Sequence, residues 1–582
     1  MQFTQDNTPA FHDDGPKFVA LAWQELFDPT TPYSYRPRLY DTHGLVKELS
    51  FLADLAIQDK RWLRHLKLVQ SELQMAADIE TFWLKQNTWL AGIIQKISST
   101  SEVVQIKDLT TLFANTSPNP VTLLFECLRS ELPDLPQKKE KTLTVLKLLG
   151  TQAIRRGLTA SDIDSNLSET HNKNHAEFIH LLQRLFEAES RPFYCVVRLS
   201  GNPSHIHSLF AQNGFKKART KDFPLDQHGQ QFKESISNKI AFRYETKAVS
   251  HVAAATHTVQ ACRRIIDVFN LYQNRASIEL DAKILVVDSR RSTTVSQHTE
   301  QSLATKPSHS ARKLTREVLN CLPFDELGSG LENSLEQHSL ALSSSDQKAS
   351  LVGIWTAFEC LVGSDGRDSN VKRIADRIAP IVALRQFEKI TRYLAVWCHE
   401  YFKTVCQHPS KLFTRSSSYY FSPRDLLDAI TGPENNDLVV QLLHDTSDHP
   451  LLRFRIYQVW RDFHNPKVVK RNLLRSQRNL NWHLERIYRA RNLTVHHGET
   501  PPLVSELVGH AQYYFTRCMM RVLADLKEHP TWTAHTALEH QRQRFDFVIE
   551  NLETKPQDVS AQILFPSDKE FLECFPWKPK NS

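Results

Sequence analysis

The run KVVKRNLLRSQRNLNWHLERIYRARN, residues 467–492, leaves little choice of backbone. Pro466 precedes it, and Gly498 and Pro501 come after it, the punctuation of a helix that starts on a proline and stops on a glycine. At about 100° per residue, Leu473, Leu480, Leu484 and Ile487 share one narrow face, and Arg491 falls near its middle. Lys467, Arg471, Arg475, Arg478, Trp482, Arg486 and Arg489 fall on the opposite side. The spacing predicts a long amphipathic helix with an apolar seam, a basic outer face, and one arginine on the apolar side.

Helical spacing recurs through most of the chain. With 16 glycines in 582 residues, Gly-rich sandwiches and phosphate loops are disfavoured, and neither G-x-x-x-x-G-K-[ST] nor G-x-G-x-x-G occurs. Leu45, Leu49, Leu52 and Ala56 keep helical register behind the cap candidates Asp41 and Thr42, and Trp62, Leu66, Val69 and Leu73 repeat the pattern. From about 191 the period changes. FYCVVRL, AFRYETKA and KILVVDS read as strands, with a helix carrying Ala255, Val259, Cys262, Ile266 and Phe269 between the last two. The fold class expected is mainly α: an N-terminal helical region (1–190), a small α+β unit (191–290), a linker (291–312), a helical domain (313–530) and a polar tail (531–582) that docks on the body.

Several function classes are disfavoured. The polar, acidic start MQFTQDNTPAFHDDG does not read as a secretory signal, and the longest apolar run, LVGIWTAFECLVG, is too short to span a bilayer. The nine cysteines are scattered, as expected in a reducing cytoplasm. Cys398, His399, Cys406 and His408 do not have the spacing of zinc knuckles, so neither metal nor cofactor is expected.

Charge is concentrated. Between Arg453 and Arg491 there are 11 Lys/Arg and 2 Asp/Glu, a net +9, although the whole chain carries only +7. That is the footprint of a polyanion site, and a solvated helix face is the alternative. Two R-N-x-x-x-H stretches lie in or beside this segment: Arg478, Asn479 and His483, then Arg491, Asn492 and His496. Arg478 belongs to the basic face. Arg491 lies on the apolar face, where an unpartnered guanidinium is costly, so it needs an acid, a groove or a polyanion. A helix ending near Gly498 lets His496 turn back towards Arg491; the bland reading is a helix C-terminus with cations favoured by its dipole.

RIYRARNLTVHHG resembles the signature of the HEPN superfamily, and more narrowly its Apea-like branch of prokaryotic anti-phage proteins. Trp355 and Glu359 match the upstream helix of that branch, and Tyr488, Arg491, Asn492, His496 and Gly498 match its second segment. The resemblance covers about 240–530 and implies a HEPN-type helical bundle. It implies a metal-independent ribonuclease that acts on RNA, tRNA included, as a homodimer or higher homo-oligomer in anti-phage defence, with a phage-derived trigger. His496 would be the general acid/base, Arg491 the transition-state stabiliser and Asn492 the orienter; His497 is the alternative histidine, and the family spacing favours His496. Glu359, on the Trp355/Val362 side of its helix, is placed either to pair with Arg491 or to stand as an ordinary exposed carboxylate. Lys467, Arg471, Arg475, Arg478 and Arg489 would hold RNA phosphates, with Trp482 as a stacking face. A HEPN domain that binds RNA or a partner without cutting is the other expectation.

Overall fold

The computed structural model describes residues 15–27, 31–33, 41–85, 87–131, 135–156, 158, 175–187, 189–201, 207–235, 240–273, 278–289, 292–296, 329–344, 346–363, 370–405, 430, 436–498 and 504–554. Helix accounts for 79% of them, which makes the chain mainly α, with one small antiparallel sheet.

The N-terminal region is built from α1 (Gly15–Phe27), α2 (Thr42–Gln58), α3 (Leu63–Ile79), the single turn α4 (Thr81–Leu84), α5 (Thr88–Ser99), α6 (Val103–Thr116), α7 (Pro120–Glu131), α8 (Leu135–Arg155) and α9 (His175–Glu187). The Asp41 side chain caps α2 by accepting from the Gly44 backbone N–H at 2.8 Å. Leu45, Leu49, Leu52 and Ala56 are buried, as are Trp62, Leu66, Val69 and Leu73, as their spacing predicts. Glu80, between α3 and α4, is buried and accepts from the Thr42 N–H and the Trp83 indole, each at 2.8 Å.

Burial first, and then the neighbouring Asp41 carboxylate, raise the Glu80 pKa well above the usual carboxylate range. The folded chain therefore holds this proton more tightly than the unfolded chain. The contribution is complete below the unfolded pKa and is lost as pH rises through the folded one. Glu80→Gln removes the titration, so its Tm should gain on the wild type's as pH goes from 5 to 9. A pH series of thermal melts measures this; a constant difference between the two proteins would discount Glu80.

The α+β unit comes next, with β1 (Arg191–Gly201), α10 (His207–Gln212), β2 (Lys216–Lys217), α11 (Gln227–Glu234), β3 (Ile240–Ala248), α12 (His251–Gln273), β4 (Ile278–Leu280), β5 (Lys283–Val287) and β6 (Ser292–Ser296). The sheet order is β2-β3-β1-β5-β6, with β4 also on β1, and all pairings are antiparallel. Alternation along β1 sends Phe193, Cys195, Val197 and Leu199 into a core with Ala254, Ala255 and Cys262 of α12, and sends Val196 to the other face. The unit extends further than the sequence suggests. Ser292–Ser296, expected as the start of the linker, is an edge strand in register with β5. Its Ser292 hydroxyl and N–H are both held by Asp226, the cap of α11, a contact that no local pattern announces. Residues 297–312 lie outside the described residues.

The C-terminal helices are α13 (Ser329–Ser343), α14 (Gln347–Val362), α15 (Asn370–Val405), α16 (Asn436–Asp445), α17 (Pro450–Phe463), α18 (Pro466–Asn492), α19 (Val504–Glu528) and α20 (Ala534–Thr554). They surround one core containing Trp355, Phe358, Leu473, Leu480, Leu484, Ile487, Tyr514 and Phe515. Helix α20 falls in the segment expected as a polar tail. Its Ala537, Leu538, Phe545, Val548 and Leu552 are part of that core, so the bundle runs at least to residue 554. Histidines and glutamines between these positions hide the apolar period.

The N-terminal region is joined to the bundle rather than separate from it. Leu451, Phe454 and Leu493 belong to the N-terminal core. Glu25 of α1 pairs at 2.5 Å with Arg455 of α17, and both side chains are almost wholly buried, while the Arg455 guanidinium also lies 3.5 Å from the Tyr33 ring centroid. Lys389 of α15 donates to the Thr31 carbonyl at 2.9 Å. No described helix is long and apolar enough to cross a membrane.

Candidate functional site

Helix α18 opens on Asn465, whose side chain accepts from the Lys467 N–H at 3.1 Å, with Pro466 in its first turn. Its apolar seam faces the bundle core as the wheel requires. The basic side, however, divides in two. Lys467, Arg471, Arg475 and Arg478 are exposed, whereas Trp482, Arg486 and Arg489 are buried, the two arginines against carboxylates of α2 and α3.

This corrects two expectations. Arg489 is not on an RNA-facing surface: it is buried and ion-paired with Glu48. Trp482 is 8% exposed and offers no stacking face. A wheel gives azimuth and cannot show that a second layer of helix covers one end of it. Arg486 contacts Glu48 at 2.8 Å and Glu72 at 2.7 Å, and Arg64 of α3 reaches Glu485. Burial raises the Glu72 carboxyl against the opposing pull of Arg486. Burial, assisted by Arg64, lowers His65 to about 4, so this ring is neutral near pH 7. Its centroid lies 6.3 Å from Tyr488, which in turn lies 5.3 Å from Trp355. Tyr488 thus connects the N-terminal layer to α14.

The motif occupies the last turn of α18 and the short turn after it. Leu493–His497 is that turn, π-helical, and Gly498 closes it at φ 65°, ψ 6°, the left-handed conformation that glycine adopts most cheaply. In an uninterrupted α-helix His496 would stand about 140° round from Arg491. A π turn, bonded i to i+5, uses more residues per turn and carries His496 less far round, towards the side Arg491 leaves from. Leu493 anchors the turn in the N-terminal core. The Thr494 hydroxyl donates to the Ala490 carbonyl at 3.0 Å, and the Lys348 ammonium of α14 donates to the Gly498 carbonyl at 3.1 Å.

Within that frame Arg491 is half-buried, donates from Nη1 to Asn492 Oδ1 at 3.1 Å, and has no carboxylate partner among the described residues. Its Nε is buried without a hydrogen bond. His496 is exposed. His497 shares the π turn, and its side chain lies outside the described residues.

Glu359 does not pair with Arg491. It accepts from the Trp355 indole at 3.0 Å and from Asn370 Nδ2 at 3.3 Å, which fixes the ring that packs on Tyr488. The upstream duplicate comes apart. His483 is wholly buried, with Nδ1 2.9 Å from the Tyr514 hydroxyl, whereas Arg478 is exposed. Those two side chains cannot meet a common ligand.

Residues that sequence reasoning missed are Glu48, Glu72, Arg64 and Lys348. Each meets the motif helix or its cap across 150 or more residues of chain, for which one sequence carries no signal. Among the described residues no three His, Cys, Asp or Glu side chains are gathered as a metal site needs. No protein-family model, curated protein or solved structure matches the chain.

Proposed function

We propose that the chain is a metal-independent endoribonuclease whose site is Arg491, Asn492 and His496, working in the cytoplasm in anti-phage defence. One contrast carries the reading. The two arginines preceding Arg491, Arg486 and Arg489, are buried and neutralised by carboxylates, whereas Arg491 has none among the described residues and lies just before the widened turn that bears an exposed histidine. A half-buried cation placed so, beside a proton-transfer group, suits an anionic substrate.

In this mechanism the His496 imidazole takes the proton from a ribose 2′-hydroxyl as that oxygen attacks the adjacent phosphorus. The Arg491 guanidinium binds the non-bridging oxygens and stabilises the charge that grows on them. Asn492 Oδ1, already bonded to Arg491 Nη1, holds the guanidinium in position. Loss of the 5′-oxygen, which is protonated as it leaves, gives a 2′,3′-cyclic phosphate and a 5′-hydroxyl. The family resemblance adds a homodimer or higher homo-oligomer as the working form.

The test is incubation of total RNA and tRNA in EDTA with the wild type, Arg491→Ala, His496→Ala and Arg478→Ala. The reading requires cutting by the wild type, cutting retained in whole or in part by Arg478→Ala, and loss in the other two. Tight RNA binding without cutting by any of the four would replace the enzyme with a binding module.

A further inference from the structure

Helix α18 neutralises its cations selectively. Lys470 pairs with Glu553, and Arg486 and Arg489 pair with Glu48 and Glu72. Lys467, Arg471, Arg475 and Arg478 stand at i, i+4, i+8 and i+11, all exposed, and none forms an ion pair with a carboxylate among the described residues. Partial burial first, and then the like charges of Arg471 and Arg478, lower the Arg475 pKa. Such a row is unfavourable unless solvent or an anion screens it.

A second element contributes to the row. On α8, Glu140 pairs at 2.5 Å with Arg461 of α17, which turns that face of α8 towards the C-terminal helices. Lys147, seven residues on and therefore on the same face, reaches solvent from between the two layers: burial first, and then the Arg455 charge, lower its ammonium to about 8, Glu25 opposes them and Arg475 adds to them, so it still carries its charge near pH 7. The cations thus come from both layers, and Lys147 feels the charge of Arg475 across the seam between them.

This surface is not the motif cleft. Arg478 and Arg491 are thirteen residues apart, about 20 Å along the helix and more than a quarter-turn round it. Between them Glu485, Arg486 and Arg489 are buried under α2 and α3.

We propose that Lys147, Arg471, Arg475 and Arg478 form an exosite for the phosphodiester backbone of RNA, separate from the Arg491–His496 site and built jointly by α8 and α18. The proposal rests on the ribonuclease reading for its choice of RNA, and it adds a requirement on the substrate. An RNA engaging both surfaces must reach about 20 Å from the scissile bond, so a folded RNA or a long strand qualifies and a dinucleotide does not.

The test separates binding from cutting. Full-length protein is titrated against a fluorescein-labelled 30-nucleotide RNA made wholly with 2′-O-methyl ribose, which cannot supply the attacking hydroxyl, over a range of salt concentrations. Each lost phosphate contact lowers the salt slope by about 0.7, so Lys147→Gln/Arg475→Gln should lower it by about 1.4 and weaken binding on the order of tenfold at 0.1 M salt. Lys96→Gln, at an exposed position of α5, serves as the control and should change neither. In a parallel cleavage assay the double variant should lose rate on tRNA and keep the wild-type rate on a dinucleotide.

An unchanged slope and affinity in the double variant, or no binding by the wild type, overturns the exosite. Binding that responds as stated, with no cutting of any RNA by the wild type, retains the exosite and removes the ribonuclease reading.

Discussion

His496→Ala should lower the rate of RNA cleavage by about 10²–10⁴-fold while leaving Tm close to the wild type's. The rate effect arises from removing a group that moves a proton in the transition state. The stability effect is small because the ring is exposed and its π turn is fastened elsewhere, by Leu493 in the N-terminal core, by Lys348 on the Gly498 carbonyl, and by glycine at φ 65°. Arg491→Ala should cost about 10²–10³-fold through loss of charge stabilisation. Arg491→Lys should recover only part of that, since an ammonium cannot present the planar fork. Single-turnover rates on one RNA with defined ends, beside thermal melts of the same preparations, provide both readouts. Loss of activity that tracks loss of Tm would reduce both residues to structural parts.

Glu48→Ala should act the other way, through stability first. Its carboxylate serves Arg486 at 2.8 Å and also Arg489, and both guanidiniums are nearly excluded from water. Removing one partner of a buried ionic network leaves uncompensated charge and costs about 3–5 kcal/mol. Arg486 keeps Glu72 at 2.7 Å, which limits its loss. The expected results are a lower denaturation midpoint and faster proteolysis within α2 and α3. Catalysis should also fall, because Arg489 stands two residues before Arg491. Glu48→Gln, which keeps the shape and loses the charge, should fall between. A Glu48→Ala stability within about 0.5 kcal/mol of the wild type's, the range of an ordinary surface change, would mean that the network contributes little.

Periodicity sufficed wherever a helix has one wet side and one dry side. Leu45, Leu49, Leu52 and Ala56, and the Leu473–Ile487 seam, are buried as their spacing predicts, and the strand of alternating residues at Ile240–Ala248 pairs with β1. It failed where an element is covered twice. The face of α18 bearing Arg486 and Arg489 reads as solvated because its residues are cationic. The covering carboxylates, Glu48 and Glu72, come from more than 400 residues earlier in the chain, and nothing near Arg489 points to them. Helix α20 escaped for a related reason, since buried His540 and Gln541 interrupt its apolar pattern. At the motif, Gly498 signalled the helix stop. The π turn itself has no residue signature, being fixed by Leu493 beneath and Lys348 above.

The shared core has a practical corollary. A fragment beginning near residue 190 would carry Arg455, Arg486 and Arg489 stripped of Glu25, Glu48 and Glu72, and would bare Leu451, Phe454 and Leu493 to water. Such a fragment is expected to aggregate or fold loosely, so its silence in an assay would say nothing of sensing. The N-terminal helices and the C-terminal bundle share a core and buried ion pairs, so questions about the former are best asked by point substitution, with the latter still clasped to them.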